Sequence, residues 1–346
     1  MNRAAAGARF GALMILSRAR RNPAVVLMRL LVAVCFVLCP VVAAAADGYP
    51  SKPVRFVVTF PPGGPTDTIV RVIGQRLTDL WGHPMVLDNR GGAGGIVGTE
   101  IVARAAPDGY SFLVGTAGGM TINPALQPKL SYDPFRDFAP VGMLVNNPQI
   151  LVAHPALAAK NVKDLVALAK AKPGQLNFAS AGTGTATHLG LELLKVTTNI
   201  DVVHVPYKGG APAVTDLIAG QVQLLWVSIP SVLPHVKAGR LRALAVSTGK
   251  RSASAPDIPT VAESGYAGFE YSNWNALFAP ARTSPAIVKQ VNAAVVKILS
   301  EPDVAQKLIA LGADPAPGTP EDLARYMRAD HERWKKVIRT AGIKPD

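Results

Sequence analysis

Side chains able to do covalent or metal chemistry are few and scattered along this sequence. Six histidines stand at His83, His154, His188, His204, His235 and His331. No two form an H-x-x-x-H pair, so the spacing of a helical metal site is missing. Ser180 lies in "FASAG", with Phe178 where a nucleophile elbow needs glycine. Ser180 and His188 are close enough in sequence to pair as nucleophile and base across one corner. No third, orienting acid is evident. The stretch "GTGTATH" from Gly182 has two glycines of a dinucleotide fingerprint, but Thr187 fills the third place. No acid stands where a ribose would be held. No lysine follows a glycine loop, and no basic-aromatic stripe marks a nucleic-acid surface. No cofactor is expected.

What recurs instead is a corner. An apolar run ends, small polar and glycine residues follow, and an amphipathic segment begins. This happens at "FPPGGPTD", "NRGGAGG", "GTAGGMT", "SAGTGTATH" and "PYKGGAP". Helix N-termini carry N–H groups without intrahelical partners, and glycine lets backbone approach a ligand. Five such corners predict a cleft that grips a small anion with backbone donors and hydroxyls. In the first corner Pro61 and Pro62 stiffen the loop, Gly63 and Gly64 are expected to expose their amides, and Thr66 to cap the helix. Asp67 has two open roles: complementing the helix dipole, or bonding the facing loop to hold its shape.

The elements that position these corners alternate. "VRFVVTF" reads as a buried strand, and Ile69, Val70, Ile73, Leu77 and Leu80 then recur at helical spacing. "PMVLDN", a helix in "GGIVGTEIVARA" and "YSFLVG" complete βαβαβ, the signature of a parallel sheet with crossover helices. After Asn147 the rhythm restarts with strands in "QILVAHP", "LNFASAG", "DVVHVPY", "VQLLWVS" and "LRALAVS", separated by helices. "FEYSNWNALFAPA" is strand-like. Three helices follow, over Pro285–Leu299, Asp303–Leu311 and Pro320–Thr340, returning to the first unit. The chain is expected to cross between units at Asn146–Asn147 and Ser272–Asn275, with Trp274 placed either as a reporter of that crossing or in the core.

The 346 residues are about half hydrophobic, enough for two domains. Residues 1–46 hold six arginines and no acid. An apolar stretch from Leu30 to Leu38 and a run of alanines follow, which predicts a secretory signal peptide over 1–46. On that reading the net charge falls from +13 to +7, since 36 basic residues become 30 against 23 acidic ones. Both cysteines, Cys35 and Cys39, leave with it, and no disulfide or thiolate chemistry is expected.

From Tyr49 onward the chain resembles the Bug family, periplasmic substrate-binding proteins of tripartite tricarboxylate transporters. The resemblance is carried by "YPSKPVRFVVTFPPGGPTD", "NRGGAGGIVGTEIVARAAPDGYSFLVG", "YDPFRDFAPVG", "FASAGTGTATHLGLELL", "VPYKGGAPAVTDLIAGQV" and "LPHVKAGRLRALAVST". It implies an α/β fold of two open parallel-sheet, Rossmann-like domains around a cleft, like a type II periplasmic binding protein. Residues 47–147 with 274–346 would form the first domain and 148–273 the second. It further implies a monomeric, non-enzymatic protein of the periplasm that binds a small carboxylate and delivers it to integral membrane subunits. The implied ligand-binding residues are Phe60, Gly63, Gly64 and Asp67 on one wall. Thr116, Ala117, Ser180, Gly182, Thr183, His188 and Tyr207 line the rest. Two rivals stay open: a ligand-sensing partner of a signalling system, and a hydrolase of the same architecture using Ser180 and His188.

Overall fold

The computed structural model describes residues 48–127, 129–183 and 185–343. The expected signal peptide and both cysteines lie outside the described residues. From Tyr49 onward the chain forms one compact unit.

The first part runs β1 (Val54–Val58), α1 (Pro65–Trp81), β2 (Met85–Asn89), α2 (Ile96–Ala103), β3 (Ser111–Thr116), a π-helical turn (Gly118–Ile122), α3 (Asn123–Leu126) and β4 (Phe138–Asn146). The middle runs β5 (Gln149–Ala153), α4 (Val162–Ala171), β6 (Asn177–Ser180), α5 (Ala186–Thr198), β7 (Val203–Pro206), α6 (Gly210–Ile218), β8 (Leu224–Ser228), α7 (Ile229–Lys237) and β9 (Arg242–Val246). The last part runs β10 (Asn275–Pro280), α8 (Pro285–Leu299), α9 (Pro302–Ala310), β11 (Asp314–Pro315) and α10 (Pro320–Ala341).

The strands form two sheets, ordered β11-β4-β10-β3-β1-β2 and β7-β6-β8-β5-β9. The α/β class is as expected, but both sheets are mixed. β1 pairs in parallel with β2 and β3, and β6 with β7 and β8. β10 is antiparallel to β3 and β4, and β5 to β8 and β9. The antiparallel strands are those adjoining the two crossings, where no crossover helix turns the chain back into line. β4 is a further difference. "FAPVGMLVN" contains Pro140 and Gly142, which disfavour a strand locally, yet pairing with β10 on one side and β11 on the other overrides that preference.

The core explains the element choices. Ile69, Val70, Ile73 and Leu77 form the buried stripe of α1 against Val54, Phe56 and Val58 of β1. Pro65 occupies the first turn of α1, where its missing N–H leaves no bond unmade. A second apolar cluster includes Val57 and Leu113 of the first sheet, Leu151, Phe178 and Trp226 of the second, and Met327, Trp334 and Val337 of α10. Helix α10 packs on β4 and on α5. Trp274 is fully buried in this cluster, and its Nε1–H donates to Asp330 at 3.1 Å. The core placement therefore applies to that tryptophan. Among the described residues no helix is long and apolar enough to cross a membrane.

Candidate functional site

Parallel pairing aligns strand ends. The carboxyl ends of β1, β2 and β3 lie on one edge of the first sheet, and those of β6, β7 and β8 on one edge of the second. All five corners follow these ends, where an open α/β sheet offers its ligand crevice.

The first corner is held by Asp67, which is only 2% exposed. One carboxylate oxygen accepts the Gly63 N–H at 3.0 Å and Arg71 Nε at 2.8 Å. The other accepts Asn89 Nδ2 at 3.0 Å and Arg71 Nη2 at 3.1 Å. Asn89 also donates to the Phe60 carbonyl at 3.0 Å. Burial alone would push this carboxyl up, but the Arg71, Gly63 and Asn89 hydrogen bonds outweigh it and hold it below the usual range. Asp67 thus bonds the facing loop and shapes it, and its charge is matched by Arg71. Two expectations change here. The Gly63 amide is occupied by Asp67, and the α1 cap is Gly64 without a side-chain bond, so Thr66 does not cap. Thr66 Oγ1 instead accepts Asn275 Nδ2 at 3.4 Å. The amides of Thr66 and Asp67, in the first turn of α1, have no partner among the described residues. Gly63 has φ of +79°, a backbone angle that favours glycine. The Phe60 ring is partly exposed.

Thr116 and Ala117 sit deeper. Thr116 is 4% exposed and its Oγ1 accepts the Gly119 N–H at 3.4 Å. The Ala117 N–H donates to the Trp274 carbonyl at 3.3 Å, against the returning chain.

The second sheet gathers Ser180, Gly182, Thr183, His188 and Tyr207. Gly182, at φ of +130°, donates its N–H to Ser180 Oγ at 3.1 Å. A Cβ there would lie 3.2 Å from the Tyr207 carbonyl. Thr183 is exposed at the turn. Thr185 caps α5 by accepting the His188 N–H. The Tyr207 hydroxyl is engaged with Asp216 at 2.8 Å. Ser180 does not pair with His188. Its Oγ lies 2.6 Å from His204 Nε2, and His188 stacks on His204 with ring centroids 4.1 Å apart. The reason is register: β6 and β7 set Phe178 opposite His204, which brings its ring beside Ser180. Ser180 is buried. Glu192 lies 3.9 Å from His188 and 3.1 Å from Lys195. Burial, then the Lys195 charge, push the His188 imidazole down. No group of three His, Cys, Asp or Glu among the described residues could hold a metal.

Two cavities meet at these corners. One, about 370 Å³, is lined by Gly63 and Thr66 from the first sheet's corner and by Ser228 and Pro230 from the second. The other, about 600 Å³, extends over the second sheet past Ala181, Thr187 and Gly210. They share Gln149, Ser228 and Asn273. Those three were not anticipated, although "NNPQ" and "SNWN" at the crossings are conspicuously rich in amides. Around them Asn147 Nδ2 donates to Asn275 Oδ1 at 3.0 Å and to the Asn273 carbonyl, while the Asn273 N–H returns to the Asn147 carbonyl at 3.2 Å. Among the described residues, no Asp, Glu, Lys or Arg lines either cavity. The arrangement can hold an anion with oriented neutral donors, as helix starts and amide side chains do elsewhere.

The model of the tripartite tricarboxylate transporter family receptor matches residues 69–343. The protein BugT of Bordetella pertussis is 38% identical over 301 residues, covering 87% of this chain and 92% of BugT. Among solved structures, an R. palustris protein with adipate is 37% identical with a TM-score of 0.70, over 86% of this chain and all of that one. MatC from Rhodopseudomonas palustris, with bound malate, is 35% identical with a TM-score of 0.66, over 84% of this chain and all of MatC.

Proposed function

The chain belongs to the tripartite tricarboxylate transporter receptor family, and from that premise we propose that it is a periplasmic binding protein that captures a small carboxylate between its two sheets and delivers it to transporter membrane subunits. The observation that carries this reading is the pair of cavities joined at Gln149, Ser228 and Asn273, walled by corners of both sheets and free of acidic side chains. Asn, Gln, Ser and Thr side chains line that space, with His235 at the larger cavity. An anion there is held by the first-turn amides of α1, by the Thr66 hydroxyl and by side-chain amides, in surroundings where such bonds are worth more than in water. Asp67 does not repel the ligand, because Arg71 and two further N–H groups already satisfy it. The positive net charge attracts anions from a distance. Residues up to 147 and from 274 form one lobe on this reading, and 148–273 the other.

The test is a panel of mono-, di- and tricarboxylic acids added to purified protein, followed by melting temperature and by analysis of the recovered acid. At least one acid should raise the melting temperature by mass action and be recovered unchanged. A panel with no shift sinks the binding reading. Conversion of the acid to a product sinks the non-enzymatic one.

A further inference from the structure

Gly312 follows the end of α9 and has φ of +74°, the left-handed region in which helices often terminate on glycine. Its N–H donates to the Ile309 carbonyl at 2.9 Å, and the Ala313 N–H to the Leu308 carbonyl at 3.0 Å, so the helix end is closed locally. That accounts for the backbone angle but not for the surroundings. Gly82 after α1 and Gly342 after α10 close their helices in the same region, at φ of +67° and +64°, and a Cβ at either would meet nothing within 4 Å. A Cβ at Gly312 would lie 2.5 Å from both Cδ and Cγ of Pro230. Non-bonded carbons rest about 3.5–4.0 Å apart, so the Pro230 ring is seated where any side chain at 312 would begin.

The contact joins the two sheets' surroundings. Pro230 lies in the first turn of α7, just after Ser228 at the end of β8 in the second sheet. Gly312 lies between α9 and β11, and β11 is fixed to the edge of the first sheet, with Asp314 opposite Asn146 and Pro315 opposite Val145. Leu311, Gly312 and Pro230 line the smaller cavity together with Ser228, Gly63 and Thr66. A second contact holds the same turn. Ser254, which follows β9 of the second sheet, places its hydroxyl 3.0 Å from the Ile309 carbonyl and 3.3 Å from Asp314 Oδ1. The turn from Ile309 to Asp314 is thus gripped at two points by residues that belong with the second sheet, and neither point is a chain crossing.

Resting on the carboxylate-capture reading, we propose that Gly312 is a positioning residue for capture: the seat of Pro230 on its bare Cα fixes how closely the two walls of the smaller cavity approach. With no side chain between ring and backbone, the start of α7 comes nearer to the first sheet's corner than any other residue at 312 would allow. The Ser254 hydroxyl holds the turn against yielding in its place. Added bulk at 312 must move Pro230 outward by about 1 Å to restore ordinary carbon contact. Ser228 moves with it, and the gap that a bound anion bridges becomes wider. An anion reaching both walls then has stretched hydrogen bonds on one of them, and such bonds weaken steeply away from their preferred geometry.

The experiment is calorimetry and thermal melting on the full chain, with succinate, malate, adipate and citrate as probes. The variants are Gly312→Ala, Pro230→Ala, the two combined, and Gly82→Ala. Alanine at 230 lacks the Cδ and Cγ that a Cβ at 312 would meet. Gly312→Ala should bind the parent's tightest probe about tenfold more weakly, the loss expected for one hydrogen bond to a charged group. In the Pro230→Ala background the same change should cost less than about threefold. Gly82→Ala takes on similar left-handed strain away from both cavities, so it should lower the melting temperature while binding as the parent does. Parent-like binding by Gly312→Ala, or equal losses in the two backgrounds, overturns the positioning role and leaves capture standing. Gly82→Ala binding as weakly as Gly312→Ala overturns it too, because strain alone would then explain the loss. No binding of any probe by the parent overturns capture and the positioning role with it. If Gly312→Ala does not fold, Gly312→Asn carries the same Cβ on a residue that tolerates the left-handed region and decides by the same criteria.

Discussion

Ser180 is held by an imidazole 24 positions further along the chain, and that pairing has a measurable pH signature. Burial first, and then the neighbouring His188, push the His204 imidazole down to about 4, with Lys195 adding to the effect and Glu192 opposing it. An imidazole in the unfolded chain titrates near 6.5. The folded protein therefore binds fewer protons than the unfolded chain between those two values. The contribution of His204 to stability is complete above about pH 6.5 and is lost as pH falls toward 4. Melting temperature should decline across that window, and His204→Gln should flatten the decline. Superimposable pH profiles for variant and parent would show that His204 is not the titrating group. The stack of His188 on His204 sits directly behind the Gly182 loop, so protonation there would also disturb the backbone expected to face the ligand.

At the scale of elements, α10 determines how the corners are held. Its start is sealed by a capping box between Thr319 and Asp322. Its middle carries Asp330, which is fully buried and accepts Thr121 Oγ1 at 2.7 Å, Trp274 Nε1 at 3.1 Å and Arg333 Nη1 at 2.9 Å. One carboxylate thus joins the π-helical turn after β3, the returning chain before β10, and the helix itself. Asp330→Ala would leave Trp274 Nε1 and Arg333 Nη1 without this acceptor, while Thr121 Oγ1 keeps the Ala117 carbonyl at 2.9 Å, and should cost about 3 kcal/mol, read from denaturant unfolding. A loss below about 1 kcal/mol would mean that water replaces the carboxylate. The helices were legible in the sequence because apolar periodicity and proline at N1 are local signals: the stretch read as Pro285–Leu299 forms with those bounds. β4 was not legible, since Pro140 and Gly142 argue locally against the sheet partners that β10 and β11 supply. The site divides in the same way. The glycine corners announce themselves by composition. The Ser180–His204 contact and the convergence of Gln149, Ser228 and Asn273 depend on strand register and on the two crossings, which no local window contains.

For the whole molecule, the two crossings run side by side and are tied at Asn147, Asn273 and Asn275, while α10 packs on β4 of the first sheet and on α5. On the two-lobe reading, closure is expected as a bend at the crossings. A ligand touching both walls favours the closed arrangement by its difference in affinity for the two states. Small-angle scattering with a saturating acid from the panel should show a smaller radius of gyration than without it. Clear binding with an unchanged radius would mean a preformed pocket. The crossings also have a consequence for how such a chain is put together. β4 and β10 are antiparallel neighbours, with Val145 opposite Asn275. The whole stretch from Asn147 to Trp274 is therefore, in topological terms, one very long hairpin loop. Replaced by a tight turn, it would leave the order β11-β4-β10-β3-β1-β2 unaltered. The second sheet, and with it the cavity past Ala181, Thr187 and Gly210, is an insert whose two ends lie side by side at Asn147 and Asn273, so it can be exchanged or reshaped without rethreading its host.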